Sequence, residues 1–367
     1  MTDKNSLAFL GFNLLYRYIG PSRYKNILSL YDGDVEQAWN NRCDWPFNNF
    51  FKADNLRQSF KKAVTACRPD IYLEQLKKNS INFVTLENPL YPEKLKELVN
   101  PPIIIYFLGD LSILRTEGVA VVGSRLVTPY GRMVVNKFVP YLAKSGFSIV
   151  SGLAFGVDAL SHKKALDCGG TTVAVLPAGV DNIAPRGNYS LFREIITSSR
   201  GLVVSEFPLN TVVSKWHFPY RSRIVVALSR AVLIVEASEK SGTRYTAKEA
   251  IVQNKPLFSV PGPIDSPFSV GSNRFIQQGG SMVIHPSEIL SSFGKKKKII
   301  AEPGCVKNVA GLSLFEQNAL SILNSGPLVF DDLLSLSKMP GSELRATLTI
   351  LEVRGMVKND CGIFYRI

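Results

Sequence analysis

Lys215, His217, Arg221 and Arg223 stand directly before an apolar run in the stretch KWHFPYRSRIVVALSRAVLIVEASEKSGTRYTAKEA, residues 215–250. The stretch holds seven Lys and Arg against three Asp and Glu. Arginine forks suit phosphate oxygens, which they bind two at a time. Trp216, His217, Phe218 and Tyr220 alternate with the cations and offer faces on which bases can stack. That mixture suits a single nucleic-acid strand better than a duplex. A plainer use also exists, with Trp216 and Phe218 in the core and the arginines paired to Glu206 or Glu236.

Three short turns carry the same chemistry elsewhere: Gly123-Ser124-Arg125, Ser151-Gly152 and Ser241-Gly242-Thr243. Glycine lets a phosphate approach the backbone, and hydroxyls and amides can then hold it. One such turn is ordinary strand-end punctuation, whereas several at one sheet edge point to a binding rim. Asp158 and His162 have the four-residue spacing of a helical acid–base pair. No nucleophile is implied nearby, and a pair that buttresses its loop is the simpler expectation. There is no GxxxxGK[ST] loop and no GxGxxG after the first strand, which argues against Walker-type ATP hydrolysis and a dinucleotide cofactor. The five cysteines form no CxxC pair, so neither a zinc site nor a disulfide framework is expected, and a reducing cytosol fits. The expectation is a binding protein, not an enzyme, without metal or cofactor.

These turns need a sheet to bring them together. From 118 to about 262, GVAVVG, FSIVSG, TTVAVLP, GLVVSEF, AVLIVEA and PLFSVPG are short β-branched runs, the form taken by doubly covered parallel strands. Helical patterns between them end at glycine, as in YGRMVVNKFVPYLAKSG and FGVDALSHKKALDCGG. The alternation predicts an α/β fold, an extended, Rossmann-like, doubly wound parallel sheet. Ligands of such sheets bind beyond the carboxyl ends of the strands. Pro140 should kink or break its helix. INFVTLENPLYPEKLKEL and PPIIIYFLGD read as strands flanking a short helix that lead into the sheet domain, taken as 69–293.

Residues 1–68 read as a small helical module. Within it RYIGPSRYKNIL has the Gly-Pro turn of a helix-hairpin-helix, here expected mainly to pack. A basic linker is read at 294–311. Three helix patterns and the hairpin-like VKNDCGIFYRI give a C-terminal winged helix at 312–367. That last segment has five Lys and Arg against six Asp and Glu, so it favours protein contact over a phosphate backbone. Phe275, Ile276, Met282 and Val283 form a candidate apolar patch for a homodimer.

The chain has 367 residues and a formal charge of +13, room for two or three domains and a bias toward a polyanionic partner. The apolar stretch LAFLGFNLLY lacks a convincing cleavage site, and no run approaches the ~20 residues of a membrane span. A cytoplasmic protein with no membrane partner is expected.

Taken together, VAVVGSR…YG, VSGLAFGVDALSHKKAL, VAVLPAGVDNIAP, VVSEFP, HFPYRSRIVVALS, LIVEASEKSGTRYTAKEA and VPGPIDSPFSVGSNRFIQQGG resemble the DNA-processing protein A (DprA/Smf) family. The resemblance implies a cytosolic bacterial protein with an extended Rossmann core. It further implies a homodimer that binds single-stranded DNA and helps load the RecA recombinase in natural transformation. By motif, it places Arg125, Arg186, Arg221 and Arg223 in the DNA pocket. Ser222, Ala184, Ala227 and Gly280 depart from the usual residues around those arginines. The alternative is a phosphoribohydrolase-like enzyme on a related fold, kept open by SGTRYTAKEA with Glu249 on the following helix.

Overall fold

The computed structural model describes residues 5–294, 312–360 and 362–366. The chain divides into two compact units, Met1–Lys296 and Lys297–Ile367. Apart from Gly294, the segment read as a linker lies outside the described residues.

The larger unit is built on nine strands: β1 Asn82–Thr85, β2 Ile104–Gly109, β3 Gly118–Val122, β4 Ser148–Ser151, β5 Thr172–Val175, β6 Gly201–Ser205, β7 Ser229–Ile234, β8 Leu257–Ser259 and β9 Ser281–Met282. They are ordered β1-β2-β6-β5-β4-β3-β7-β8-β9. From β6 to β9 every pairing is parallel, while β1–β2 and β2–β6 are antiparallel. The sheet is therefore Rossmann-like with an antiparallel extension at one edge. Strand order grows one way from β3 to β6 and the other way from β7 to β9. The crevice between the ends of β3 and β7 is thus the topological switch point, where such sheets bind ligands.

Every residue of β3, β4, β5 and β6 is buried, as β-branched runs covered on both faces require. The helix Pro129–Lys144 runs through Pro140 without a break. Proline removes one backbone hydrogen bond, but buried Phe138, Val139, Tyr141 and Leu142 hold the flanking turns in place. One apolar core joins the N-terminal helices to a sheet face, running from Phe9, Phe12 and Trp39 through Leu76 to Tyr106 and Val203. Buried polar contacts cross the same seam. Tyr106 donates to Asn13 at 2.8 Å, and Tyr72 accepts from the Leu209 amide at 2.7 Å.

The smaller unit has helices Leu314–Ile322, Phe330–Ser337 and Gly341–Val353. Its strands are β10 Leu328–Val329, β11 Val357–Asp360 and β12 Ile363–Arg366, in antiparallel order β10-β12-β11. The hairpin-like terminal sequence thus forms two strands and gains a third from the loop before the second helix. Leu320, Leu333, Leu344, Leu348 and Leu351 make its core.

Candidate nucleic-acid interface

Four loops meet at the switch point around a cleft of about 580 Å³. The first follows β3. Ser124 is buried, and its hydroxyl both donates to the Leu126 carbonyl at 2.8 Å and accepts from the Leu126 amide at 3.1 Å. That hydroxyl shapes the turn, and Arg125 is left exposed at its tip. The Arg125 guanidinium lies 5.3 Å from the centre of the Phe218 ring. Glu236, buried just beyond β7, accepts from the amide and hydroxyl of Thr128 and so secures the start of the following helix.

The second loop follows β4. The Ser151 hydroxyl is buried and donates to the Val121 carbonyl at 2.7 Å, a strand-to-strand tie. The next two amide contacts go to one carboxylate: Asp158 Oδ2 accepts from Gly152 at 3.2 Å and from Ala154 at 3.4 Å. The Leu153 amide between them donates to His162 Nε2 at 3.3 Å. Thr172 spends its own proton on the Ile149 carbonyl, so it accepts from His162 Nδ1 at 2.7 Å. Those partners fix a neutral tautomer. Burial, with Arg221 adding like-charge repulsion, pulls the imidazole down to about 3. Asp158 and His162 therefore brace loop 152–154 separately, which is the buttress expected of the pair.

Arg221 lies over that loop, 92% of its surface removed from solvent. Its Nη1 is 3.8 Å from Asp158 Oδ2, and its Nε has no partner. Burial pulls the guanidinium below its ordinary value, offset by the Asp158 charge. The carboxyl of Asp158 is pushed up by burial and held down by Arg221 and the loop amides. Both groups line the cleft.

The third loop, after β7, opens the helix Thr243–Val252. Ser241 and Thr243 hydroxyls are 2.6 Å apart, and the Thr243 amide donates to Ser241 at 3.2 Å. The fourth wall is the segment before and within the helix His217–Ala227, which contributes exposed Lys215, then Phe218, Arg221 and Ser222. Tyr245, Thr246, Phe268 and Ser238 complete the lining. Sequence reasoning did not single out these four, though the place of Tyr245 and Thr246 after the SGT turn could have signalled those two; it named Glu236 only as a partner for the arginines, whereas Glu236 holds Thr128.

The structure thus gathers Gly123, Ser124, Arg125, Lys215, Arg221, Ser241, Gly242 and Thr243 around one cleft. Ser151 and Gly152 lie beneath its surface. Arg186 is exposed on the turn after β5 and does not line the cleft. Two more residues leave the group. His217 bonds the Pro177 carbonyl at 3.0 Å and stacks on Phe207 at 4.3 Å. Arg223 pairs with the Glu206 carboxylate and donates to the Asn100 carbonyl at 2.9 Å. Both border a separate cavity toward the N-terminal helices. On a helix, residues two apart point about 200° apart, so Arg221 and Arg223 cannot share a face. The proposed dimer patch also divides. Val283 is fully buried and Phe275 packs against the core, while Met282 is 57% exposed on the edge strand.

Chemically, the cleft combines three cationic side chains, one carboxylate, a helix start with hydroxyls, and aromatic rings. That set has the chemistry to hold a phosphate and to stack a ring. Glu249, the candidate of the hydrolase reading, accepts from Gln253 at 3.3 Å and lies outside the lining. Among the described residues, no group of three or more His, Cys, Asp and Glu is arranged for a metal ion, and no helix is long and apolar enough to cross a membrane.

A family model described as DNA recombination-mediator protein A matches residues 82–294. Protein Smf of Synechocystis sp. is 33% identical over 334 residues, covering 81% of this chain and 83% of the relative. DNA processing protein DprA of Bacillus subtilis is 34% identical over 232 residues, 63% of this chain and 77% of the relative. Among solved structures, DNA processing protein A from Streptococcus pneumoniae superposes with TM-score 0.59 at 32% identity, over 64% of this chain and 81% of that one. DNA processing protein A from Helicobacter pylori, described for its single-stranded DNA binding mode, gives TM-score 0.53 at 33% identity, over 58% and 96%.

Proposed function

This chain belongs to the DNA recombination-mediator protein A family, and from that premise we propose that it binds single-stranded DNA in the switch-point cleft and hands the strand to the RecA recombinase. The observation that carries the reading is the convergence of Arg125, Lys215 and Arg221 on one cleft that also presents Phe218 and Tyr245. Cations there take phosphates, and the rings take bases without regard to sequence. Protection and delivery of a strand need no bond-breaking step, so the role is not enzymatic. It would be exercised in the cytoplasm by a homodimer, in natural transformation. The three helices and the β11–β12 hairpin of the smaller unit form a winged helix in this reading. Its Glu343, Arg345 and Glu352 suit a protein partner better than DNA.

The test is a binding titration of oligo-dT and of duplex across salt concentrations. Each phosphate neutralised on a single strand contributes about −0.7 to the slope of log K against log salt. Arg125→Ala and Lys215→Ala should each weaken binding to every sequence alike and flatten that slope by about 0.7. Unchanged oligo-dT affinity in both variants would place the strand elsewhere.

A further inference from the structure

A cavity of about 630 Å³ lies between the N-terminal helices and the segments that precede β2 and follow β6, within the range of small-ligand pockets. Its walls include Phe12, Tyr16, Tyr24, Phe207 and His217, with Trp216 and Tyr220 also in the lining. Trp216 and Tyr220 are 79% and 49% exposed, an unusual outlay of aromatic surface. Arg17 and Lys25, both exposed, add positive charge, and the helix Pro21–Ser29 begins at the cavity. Deeper, Glu206 gives one oxygen to Arg223, while its Oε1 is buried without a hydrogen-bond partner. An unpaired buried acceptor is costly, and a ring N–H entering the cavity would satisfy it once the carboxylate turns.

The cavity and the cleft share a wall. Lys215, Phe218 and Arg221 line the cleft, while Trp216, Tyr220 and Arg223 line the cavity. The segment 215–223 is thus a ridge one helix wide, with cations and rings on both flanks.

We infer that this cavity is a second subsite, which receives a nucleobase of the strand whose phosphates lie in the cleft. The inference rests on the single-strand reading of that cleft and extends it across the ridge. Aromatic walls select a planar heteroaromatic ring, the cations at Arg17 and Lys25 admit its phosphate, and Glu206 offers an acceptor to its N–H edge. The same chemistry fits a free nucleoside monophosphate, and the experiment separates the two sources.

Gly20 lines the cavity, has ordinary backbone angles (φ −78°), and has nothing within 4 Å of where a Cβ would stand. Gly20→Phe therefore adds a ring at the cavity wall with no clash at its Cβ. Wild type, Gly20→Phe, Trp216→Ala and Arg125→Ala are titrated with oligo-dT and with a strand of the same length carrying abasic sugars. Wild type should bind the abasic strand more weakly by more than about tenfold, because the bases on the cleft rings are lost together with the one in the cavity and each contributes about that factor. Gly20→Phe and Trp216→Ala should lose about tenfold on oligo-dT, match wild type on the abasic strand, and keep the salt slope. Arg125→Ala should lose affinity for both strands with a flatter slope, which reports on the cleft alone. If both cavity variants bind oligo-dT like wild type, the subsite is overturned even where Arg125→Ala fails to bind. Deoxynucleoside monophosphates are titrated separately by quenching of Trp216, the exposed one of three tryptophans. Quenching abolished by Gly20→Phe, with oligo-dT unaffected, would assign the cavity to free nucleotide and overturn its role for the strand.

Discussion

The Arg221 guanidinium occupies the space a side chain at Gly152 would need: a Cβ at Gly152 would fall 1.0 Å from Nη1. The missing side chain lets a buried cation lie on the loop whose amides bind Asp158. Gly152→Ala should drive Arg221 off the loop and leave Asp158 buried with weakened compensation. Breaking a buried pair costs about 3 kcal/mol. Urea unfolding should show a lower midpoint, and single-strand affinity should fall with it. A midpoint and affinity equal to wild type would mean the guanidinium has an equally good second position.

Arg223 should behave unlike Arg221. Its partner Glu206 is pushed up by burial and held down by Arg223, and the two side chains are 13% and 14% exposed. Arg223→Ala should destabilise the fold by about 3 kcal/mol, since it strands a buried carboxylate. The double change Arg223→Met with Glu206→Leu should recover most of that, because it removes both charges and keeps volume. Thermal or urea melts of the single and double variants decide it; a double variant no more stable than Arg223→Ala would show that the pair itself holds the seam.

The contrast between these two arginines marks the limit of what can be read before folding. The strands β3 to β8 are written as β-branched runs, and three of the cleft's walls are the loops that follow β3, β4 and β7, so Gly123-Ser124-Arg125 and Ser241-Gly242-Thr243 could be placed at one rim from the order of residues alone. Arg221 and Arg223 fall together in HFPYRSR, yet a helix sends them to opposite faces, and only the sheet beneath decides which face meets the cleft. Glu236 reaching Thr128 across 108 positions, and Gly152 admitting Arg221, are long-range contacts with no local pattern. The fusion of the N-terminal helices with the sheet core is equally hidden, because each helix carries an apolar face whatever it packs against.

Stability should depend on pH through His162. Its folded value is about 3 against 6.5 as the ordinary value. Below pH 6.5 the unfolded chain takes up a proton that the folded chain refuses until about pH 3, so acid favours unfolding. The stabilisation is complete above pH 6.5 and declines as pH falls, by about 1.4 kcal/mol per unit. His162→Gln should flatten the slope between pH 6.5 and 5, where few carboxylates titrate. Parallel slopes for variant and wild type in urea melts would refute the assignment.

The outer edge of the sheet gives the last test, of the homodimer. β9 ends the strand order of the larger unit, and an edge strand is a template for pairing with another chain. Met282 and Ile284 are 57% and 64% exposed beside it, whereas Val283 between them is fully buried and its amide donates to Ser259 at 3.1 Å. A self-association surface here must use the first two and spare the third. Met282→Glu with Ile284→Lys should shift sedimentation toward the monomer while leaving the melting midpoint nearly unchanged. Val283→Ala should do the reverse, costing about 2 kcal/mol of stability and leaving association intact. A wild type that sediments as a monomer at every concentration, or a double variant that associates like wild type, would remove this edge as the dimer surface.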